Sequence, residues 1–238
     1  MRAVILAGGK GTRLAPYTTV LPKPLMPIGD MPILELVLRQ LKVAGIQRVT
    51  IAVGHLAELL RAFFGDGTRI GLKIDYSFED TPLGTVGPLT LIEGLNETFL
   101  MMNGDVLTTL DYRDLIRHHR ESGAVATIAT RARDVKIDFG VLRFDPDGWL
   151  VDYSEKPTLQ YFVSMGVYVF EPSILGRLKP AERLDFPDLI KMLLVEGKKV
   201  ASYPFSGYWL DIGRPDDYAR AVEEFEARKA DFLREENV

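Results

Sequence analysis

Leu6-Ala7-Gly8-Gly9-Lys10-Gly11-Thr12-Arg13-Leu14 joins an apolar run, Ala3-Val4-Ile5-Leu6, to a basic glycine loop. The run has the length and character of a buried strand. Three glycines in four positions, Gly8, Gly9 and Gly11, let the backbone turn and approach a ligand closely. Successive bare N–H groups in such a loop form an anion-binding concavity. Lys10 and Arg13 add positive charge beside it. A strand running into a basic glycine loop predicts a phosphate site at the carboxyl edge of an α/β sheet. Two familiar phosphate motifs do not fit. The dinucleotide fingerprint needs a third glycine where Leu14 stands, and Walker A needs Ser or Thr after its lysine where Gly11 stands. The competing reading is a plain tight turn.

The segment from Leu21 to Leu34 carries four prolines in eleven positions, Pro22, Pro24, Pro27 and Pro32. Proline cannot support a helix interior, so this reads as an extended, stiff loop that presents Lys23 on a rigid arm.

Composition bounds the answer. The chain has 238 residues, 47% hydrophobic and 26% charged, an ordinary globular mixture large enough for one sizeable core. A net charge of −4 argues against nucleic acid as a partner. The absence of cysteine removes disulfides and thiolate metal ligands and fits a reducing cytosol, so a cytoplasmic location is the expectation. No apolar run approaches the ~20 residues of a membrane span, and the opening apolar run is too short for a signal peptide. One domain is expected over 1–238, its two parts covering about 1–123 and about 124–238.

Outward from the glycine loop, helical patterning covers Pro32 to Ala44, His55 to Phe64, Thr85 to Gly94 and Asp111 to Glu121, the last with Asp111 as N-cap. Strands are expected over Arg48 to Val53, Leu72 to Phe78 and Thr98 to Met102. The alternation predicts a mostly parallel sheet flanked by helices. After Gly123 the pattern turns to strands: Ala124 to Thr130, Gly140 to Phe144, Trp149 to Tyr153 and Phe162 to Phe170, with a turn at Pro146-Asp147-Gly148. These predict a β-rich lobe over the sheet edge. A helix over Asp185 to Glu196, a strand over Lys199 to Tyr203 and a long closing helix over Pro215 to Glu236 complete the expectation.

Gly8-Gly9-x-Gly11-Thr12-Arg13-Leu14 followed by Pro22-Lys23-Pro24-Leu25 resembles the sugar-1-phosphate nucleotidyltransferases, and later segments extend the resemblance over nearly the whole chain. The resemblance implies a Rossmann-like, glycosyltransferase-A-like fold with a β-rich sugar-binding lobe. It implies nucleoside triphosphate and sugar 1-phosphate as small-molecule partners and Mg²⁺ as cofactor. Asn103-Gly104-Asp105 and Trp209-Leu210-Asp211-Ile212-Gly213 resemble the motifs whose aspartates, here Asp105 and Asp211, hold the metal. Arg13 and Lys23 are assigned to phosphate contact and transition-state charge, as catalytic cations. Leu6, Ala7, Gly8, Gly9, Gly11, Thr12, Asn103 and Gly104 are expected along the nucleotide. Glu155 and Lys156 match the residues that contact sugar hydroxyls and sugar phosphate, with Gly140 and Gly166 along the sugar. Ser164 stands where the family often has Asn.

Pro82-Leu83-Gly84-Thr85-Val86-Gly87-Pro88-Leu89 resembles the family's base-side loop, nearest to that of the mannose-1-phosphate guanylyltransferases, so Pro82, Gly84 and Thr85 join the nucleotide residues. Glu79 stands near the place where uracil- and thymine-using relatives carry glutamine. An ionised carboxylate only accepts hydrogen bonds, and guanine offers two adjacent donors, whereas uracil would set a carbonyl against it. GTP and mannose 1-phosphate are therefore the first expectation. UTP, dTTP or CTP with glucose, heptose or MurNAc 1-phosphate stays open, as does a regulatory homologue that binds nucleotide sugar without turnover. The absent third glycine weighs against a nicotinamide dehydrogenase. The relatives' longer members carry a further C-terminal domain, and this sequence predicts a single activity. A homodimer is expected only because two-fold dimers are the commonest oligomers.

Overall fold

In the computed structural model, which describes residues 1–233, the opening apolar run forms β1 (Arg2–Ala7). Successive side chains of a strand point to opposite faces. Here Ala3, Ile5 and Ala7 enter one core cluster and Val4 another, so β1 is buried on both sides. The chain continues through β2 (Pro27–Ile28), β3 (Met31–Pro32), α1 (Ile33–Val43), β4 (Arg48–Val53), α2 (Ala57–Phe64) and β5 (Lys73–Phe78). Next come β6 (Phe99–Asn103), β7 (Val106–Thr108), α3 (Tyr112–Ser122), β8 (Ala126–Lys136), β9 (Val141–Phe144), β10 (Leu150–Ser154) and β11 (Thr158–Phe170). The last elements are α4 (Phe186–Val195), β12 (Val200–Pro204), β13 (Trp209–Asp211), α5 (Pro215–Ala227) and α6 (Lys229–Phe232).

Seven strands form one sheet in the order β12-β8-β11-β6-β1-β4-β5. β11 runs antiparallel to both β6 and β8, and every other pairing is parallel. The sheet is thus mixed and mostly parallel, with helices on both faces, as expected. A parallel pairing brings the carboxyl ends of β1, β4, β5 and β6 to one edge. The glycine loop, Gly54, Glu79 and Gly104 all follow those ends. Among the described residues no helix is long and apolar enough to cross a membrane.

Several expectations need correction. The segment 85–94 is not an α-helix but a short 3-10 turn over Gly87–Leu91. The backbone N–H groups of Val86 and Gly87 donate to the Leu184 carbonyl, tying this segment to a distant part of the chain. The proline-rich segment is not wholly extended, because Lys23–Leu25 is a 3-10 turn and β2 pairs with β3. The β-rich half grows out of the main sheet: β8 leaves it and β11 returns to it, their outer parts pairing as a two-stranded arm beside the separate β9–β10 hairpin. The closing helix stops at Ala227, and after Arg228 the short α6 folds Phe232 back against Phe225 and Tyr208, with ring centroids 5.5 and 5.2 Å apart. Its expected end, to Glu236, lies outside the described residues. Asp111 does cap α3: its side chain accepts from the Arg113 N–H at 2.9 Å.

Candidate active site

A cleft of about 700 Å³ opens at the carboxyl edge of the sheet, in the size range of small-molecule sites. Leu6, Gly8, Gly9, Lys10, Glu79, Pro82, Gly84, Thr85, Asn103 and Asp105 line it. Most of the nucleotide residues inferred from sequence are therefore neighbours in space. The Glu79 carboxylate leans across Gly8 and Gly54, so a Cβ at Gly8 would displace the end of that side chain. The other Glu79 oxygen accepts from the Leu83 N–H at 3.0 Å, tying the base-side loop to the strand edge. Gly11 sits in the left-handed region at φ 62°, where its carbonyl accepts from the Thr18 hydroxyl at 2.7 Å. Thr12 opens the 3-10 turn Thr12–Leu14 that carries Arg13. Ala7 points its side chain into the core beside Ile5 rather than into the cleft. The Gly104 N–H donates to the Leu6 carbonyl at 3.0 Å, which draws the Asn103-Gly104-Asp105 turn against the end of β1.

At one end of the cleft the charged groups converge. Lys23, only 9% exposed, forms an ion pair with Asp105 Oδ2. Asp105 Oδ1 is buried and has no hydrogen-bond partner among the described residues. Asp211 arrives from a remote part of the chain because β13 pairs antiparallel with β7, setting Asp211 opposite Val106, and the Ile212 N–H donates to the Asp105 carbonyl at 3.2 Å. Burial pushes the Asp211 carboxyl above the usual carboxylate range, with the negative charge of Asp105 adding to it and Lys23 and Arg13 opposing it. The Arg13 guanidinium lies over Gly213, with its Cζ 3.5 Å from where a Cβ would sit. Each of the four groups sits on a separate segment, and the cluster Leu14, Leu107, Tyr208, Ile212 and Phe225 packs those segments together.

An orphaned buried carboxylate oxygen beside a second carboxylate that resists ionisation suits a divalent cation, which would supply the missing charge and partner. No group of three or more metal-ligating side chains forms among the described residues. Two carboxylates with the remaining positions left to phosphate oxygens and water is the usual arrangement for Mg²⁺.

The sugar-side residues divide into two sets. Gly166, at φ 73°, packs on the Asn103 amide, and the Ser164 hydroxyl accepts from the Gly166 N–H at 3.3 Å and donates to the Tyr168 hydroxyl at 3.0 Å. Both fall where the β8–β11 register shifts, and the Trp209 indole N–H fastens that irregularity by donating to the Met165 carbonyl at 3.0 Å. This set adjoins the cleft. Gly140, Glu155 and Lys156 lie on the arm instead. Glu155 accepts from the Tyr153 hydroxyl at 2.6 Å, and Tyr153 in turn packs on Gly140. Glu155 and Lys156 lie 3.9 Å apart with side chains 59% and 60% exposed.

Gly54, His55, Asp80 and Pro88 also line the cleft and were not assigned to it from sequence, apart from Asp80 as a neighbour of Glu79. A signal existed: Gly54-His55 follows the apolar β4 just as Gly8-Gly9 follows β1.

Residues 2–228 match the family model described as Nucleotidyl transferase. Among curated proteins, the chain is 35% identical to a UTP–glucose-1-phosphate uridylyltransferase of Synechocystis sp., over 93% of this chain and 62% of that protein. It is 36% identical to a mannose-1-phosphate guanylyltransferase of Mycobacterium tuberculosis, over 92% of this chain and 62% of that protein. Among solved structures, HddC from Yersinia pseudotuberculosis complexed with GMP-PN superimposes with a TM-score of 0.70 at 26% identity, covering 94% of this chain and 99% of that one. The chain thus spans about three fifths of the length of these curated relatives. A family match over nearly the whole sequence, joined to relatives more than a third identical, makes this chain a member of the nucleotidyl transferase family.

Proposed function

We propose that this chain transfers a nucleoside monophosphate from a nucleoside triphosphate to a sugar 1-phosphate, with GTP and mannose 1-phosphate as the preferred pair. The observation that carries the reading is the convergence of Arg13, Lys23, Asp105 and Asp211 at the phosphate end of a nucleotide-sized cleft. An oxygen of the sugar phosphate attacks the α-phosphorus, the new P–O bond forms, and the α–β bridging oxygen leaves with its electron pair as pyrophosphate. Such a reaction needs two anions held in line and their charge offset, not a covalent protein intermediate. The glycine loop offers backbone N–H groups, Arg13 a planar fork for two phosphate oxygens, and Lys23 a point charge. Asp105 and Asp211 are the residues that would hold Mg²⁺, whose charge offsets that of the triphosphate when bound. Glu155 and Lys156 would take the sugar hydroxyls and phosphate.

The guanine preference rests on Glu79. One of its oxygens is engaged by the Leu83 N–H, and the other lies along Gly8 on the cleft wall. A relative named a guanylyltransferase and a neighbour solved with GMP-PN agree with it. A relative named a uridylyltransferase supports UTP with glucose 1-phosphate as the second reading. Pyrophosphate release with Mg²⁺, measured across GTP, UTP, dTTP and CTP against mannose, glucose and heptose 1-phosphates, decides. GTP with mannose 1-phosphate is expected to be fastest. Faster turnover of UTP or dTTP would overturn the base assignment, and no release across the panel would favour a regulatory homologue.

A further inference from the structure

The base-side loop is bound to the chain at the start of α4, 100 residues further on. The Leu184 N–H donates to the Leu83 carbonyl at 3.0 Å, and the Leu184 carbonyl accepts from Val86 and Gly87 at 2.9 and 3.2 Å. Gly84 sits at φ 80°, where a Cβ would lie 2.6 Å from the Leu184 carbonyl oxygen and 2.7 Å from Asp185 Oδ1. The two segments thus meet closer than a side chain at this position would allow. Side chains complete the joint by exchange. Asp185 Oδ1 accepts from the Thr85 N–H at 3.1 Å, and the Thr85 hydroxyl accepts from the Phe186 N–H at 2.7 Å. The sequence of α4 explains the exchange. An N-cap aspartate ordinarily accepts from the second or third N–H of its own helix. Here the second position is Pro187, which has none, and the third, Asp188, donates to the Asp185 carbonyl at 3.1 Å. The Asp185 carboxylate is left to the loop, and the loop's threonine caps the Phe186 N–H in return.

We propose that Asp185 is a positioning residue for the nucleotide: with Thr85 it clamps the base-side loop to α4 and fixes where that loop and Glu79 meet the base. This role rests on the assignment of the base to the loop. The far side of the clamp is anchored. The Phe186 ring stacks on Tyr168 of β11, with centroids 3.8 Å apart, and packs in one core cluster with Leu189 and Leu193. The near side is not: Pro82, Gly84 and Thr85 belong to no helix or strand, and they line the cleft. A carboxylate on the fixed side therefore places the loop, and not the reverse. At its other end the loop holds Glu79 through the Leu83 N–H at 3.0 Å, so a displaced loop moves the group that faces the base. Arg183 pairs with Oδ2 of Asp185 at 3.3 Å and leaves Oδ1 to the clamp.

The test is calorimetric binding of GTP and of UTP with Mg²⁺ to the full chain, joined to kcat and KM from pyrophosphate release. For the nucleotide that the wild type binds more tightly, Asp185→Ala should weaken binding by about 5–10-fold, the loss of one hydrogen bond to a half-buried charged acceptor. kcat and the KM for the sugar 1-phosphate should stay within about 2-fold, whereas general loosening of α4 would move all three. Asp185→Asn keeps an acceptor oxygen at the same reach and should restore binding to within about 2-fold of the wild type. Arg183→Ala removes the ion pair, leaves the clamp, and should bind as the wild type does. If Asp185→Ala loses its cooperative melt, Asp185→Ser is read instead. It keeps an N-cap residue for α4, but its hydroxyl is one bond too short for the Thr85 N–H. Wild-type binding in the clamp-breaking variant would overturn the role, and so would an Asp185→Asn protein as weak as Asp185→Ala. Glu79→Ala separates this role from the base assignment. Weakened binding in Glu79→Ala but not in Asp185→Ala removes Asp185 alone. Unchanged binding in both removes the base from this loop and the role of Asp185 with it.

Discussion

Gly8→Ala offers a sharp test of how the cleft is built. Gly8 does not occupy the left-handed region, so alanine meets no backbone penalty there. Its Cβ, however, would occupy the position of a Glu79 carboxylate oxygen. Glu79 must then retreat and give up the 3.0 Å bond it accepts from the Leu83 N–H. A hydrogen bond to a charged acceptor contributes about 1.5–3 kcal/mol. Glu79 is half-buried, so solvent recovers part of that and the expected loss is about 1–2 kcal/mol. For a chain of this size the melting temperature should fall by about 2–8 °C. The decisive measurement is a thermal-melt cycle with Glu79→Ala. Once the carboxylate is gone the added methyl has space, so Gly8→Ala should cost little in that background, leaving a coupling of about 1 kcal/mol. The KM for the nucleoside triphosphate should rise in each single variant, because both loosen the base-side loop. Strictly additive melts, or a Gly8→Ala protein that melts with the wild type, would refute the contact as the reason for glycine at this position.

Two further outcomes follow from the charged groups. Asp211→Asn should melt no lower than the wild type without metal, because burial and Asp105 already disfavour its ionised form. It should lose both the stabilisation that Mg²⁺ with GTP confers and at least about 100-fold in turnover; retained turnover, read by pyrophosphate release, would remove Asp211 from the metal site. His119, 1% exposed, lies 2.7 Å from the Thr127 hydroxyl and 3.0 Å from Glu171, and burial lowers its pKa from the ordinary 6.5 in spite of that carboxylate. A base with a lowered folded pKa is bound more tightly by protons when unfolded, so its contribution is complete above pH 6.5 and is lost as pH falls below it. Melts between pH 7 and pH 5, at constant ionic strength, should therefore decline less steeply in His119→Gln than in the wild type. Equal slopes would show that other groups set the acid limb.

The local elements were legible because each is governed by neighbours in sequence. The apolar run of β1, the Asp111 cap of α3 and the amphipathic faces of α1 and α2 all formed within a residue or two of their expected limits. Where the reading failed, distant partners had won. The Val86 and Gly87 N–H groups bond the distant Leu184 carbonyl, and the chain after them makes only a 3-10 turn, while Phe232 packs back on Tyr208 and Phe225 after the closing helix ends. The same division holds for the site. Residue types, turn chemistry and motif spacing are properties of the chain itself, so the sequence by itself determined which side chains are suited to phosphate, metal and base. Tertiary structure alone decided that Asp211 stands beside Asp105, that Lys23 is buried in an ion pair, that Glu79 leans on Gly8, and that Glu155 is held by the Tyr153 hydroxyl. Those relations span up to about a hundred residues of chain and depend on strand pairing and burial, which no local pattern encodes.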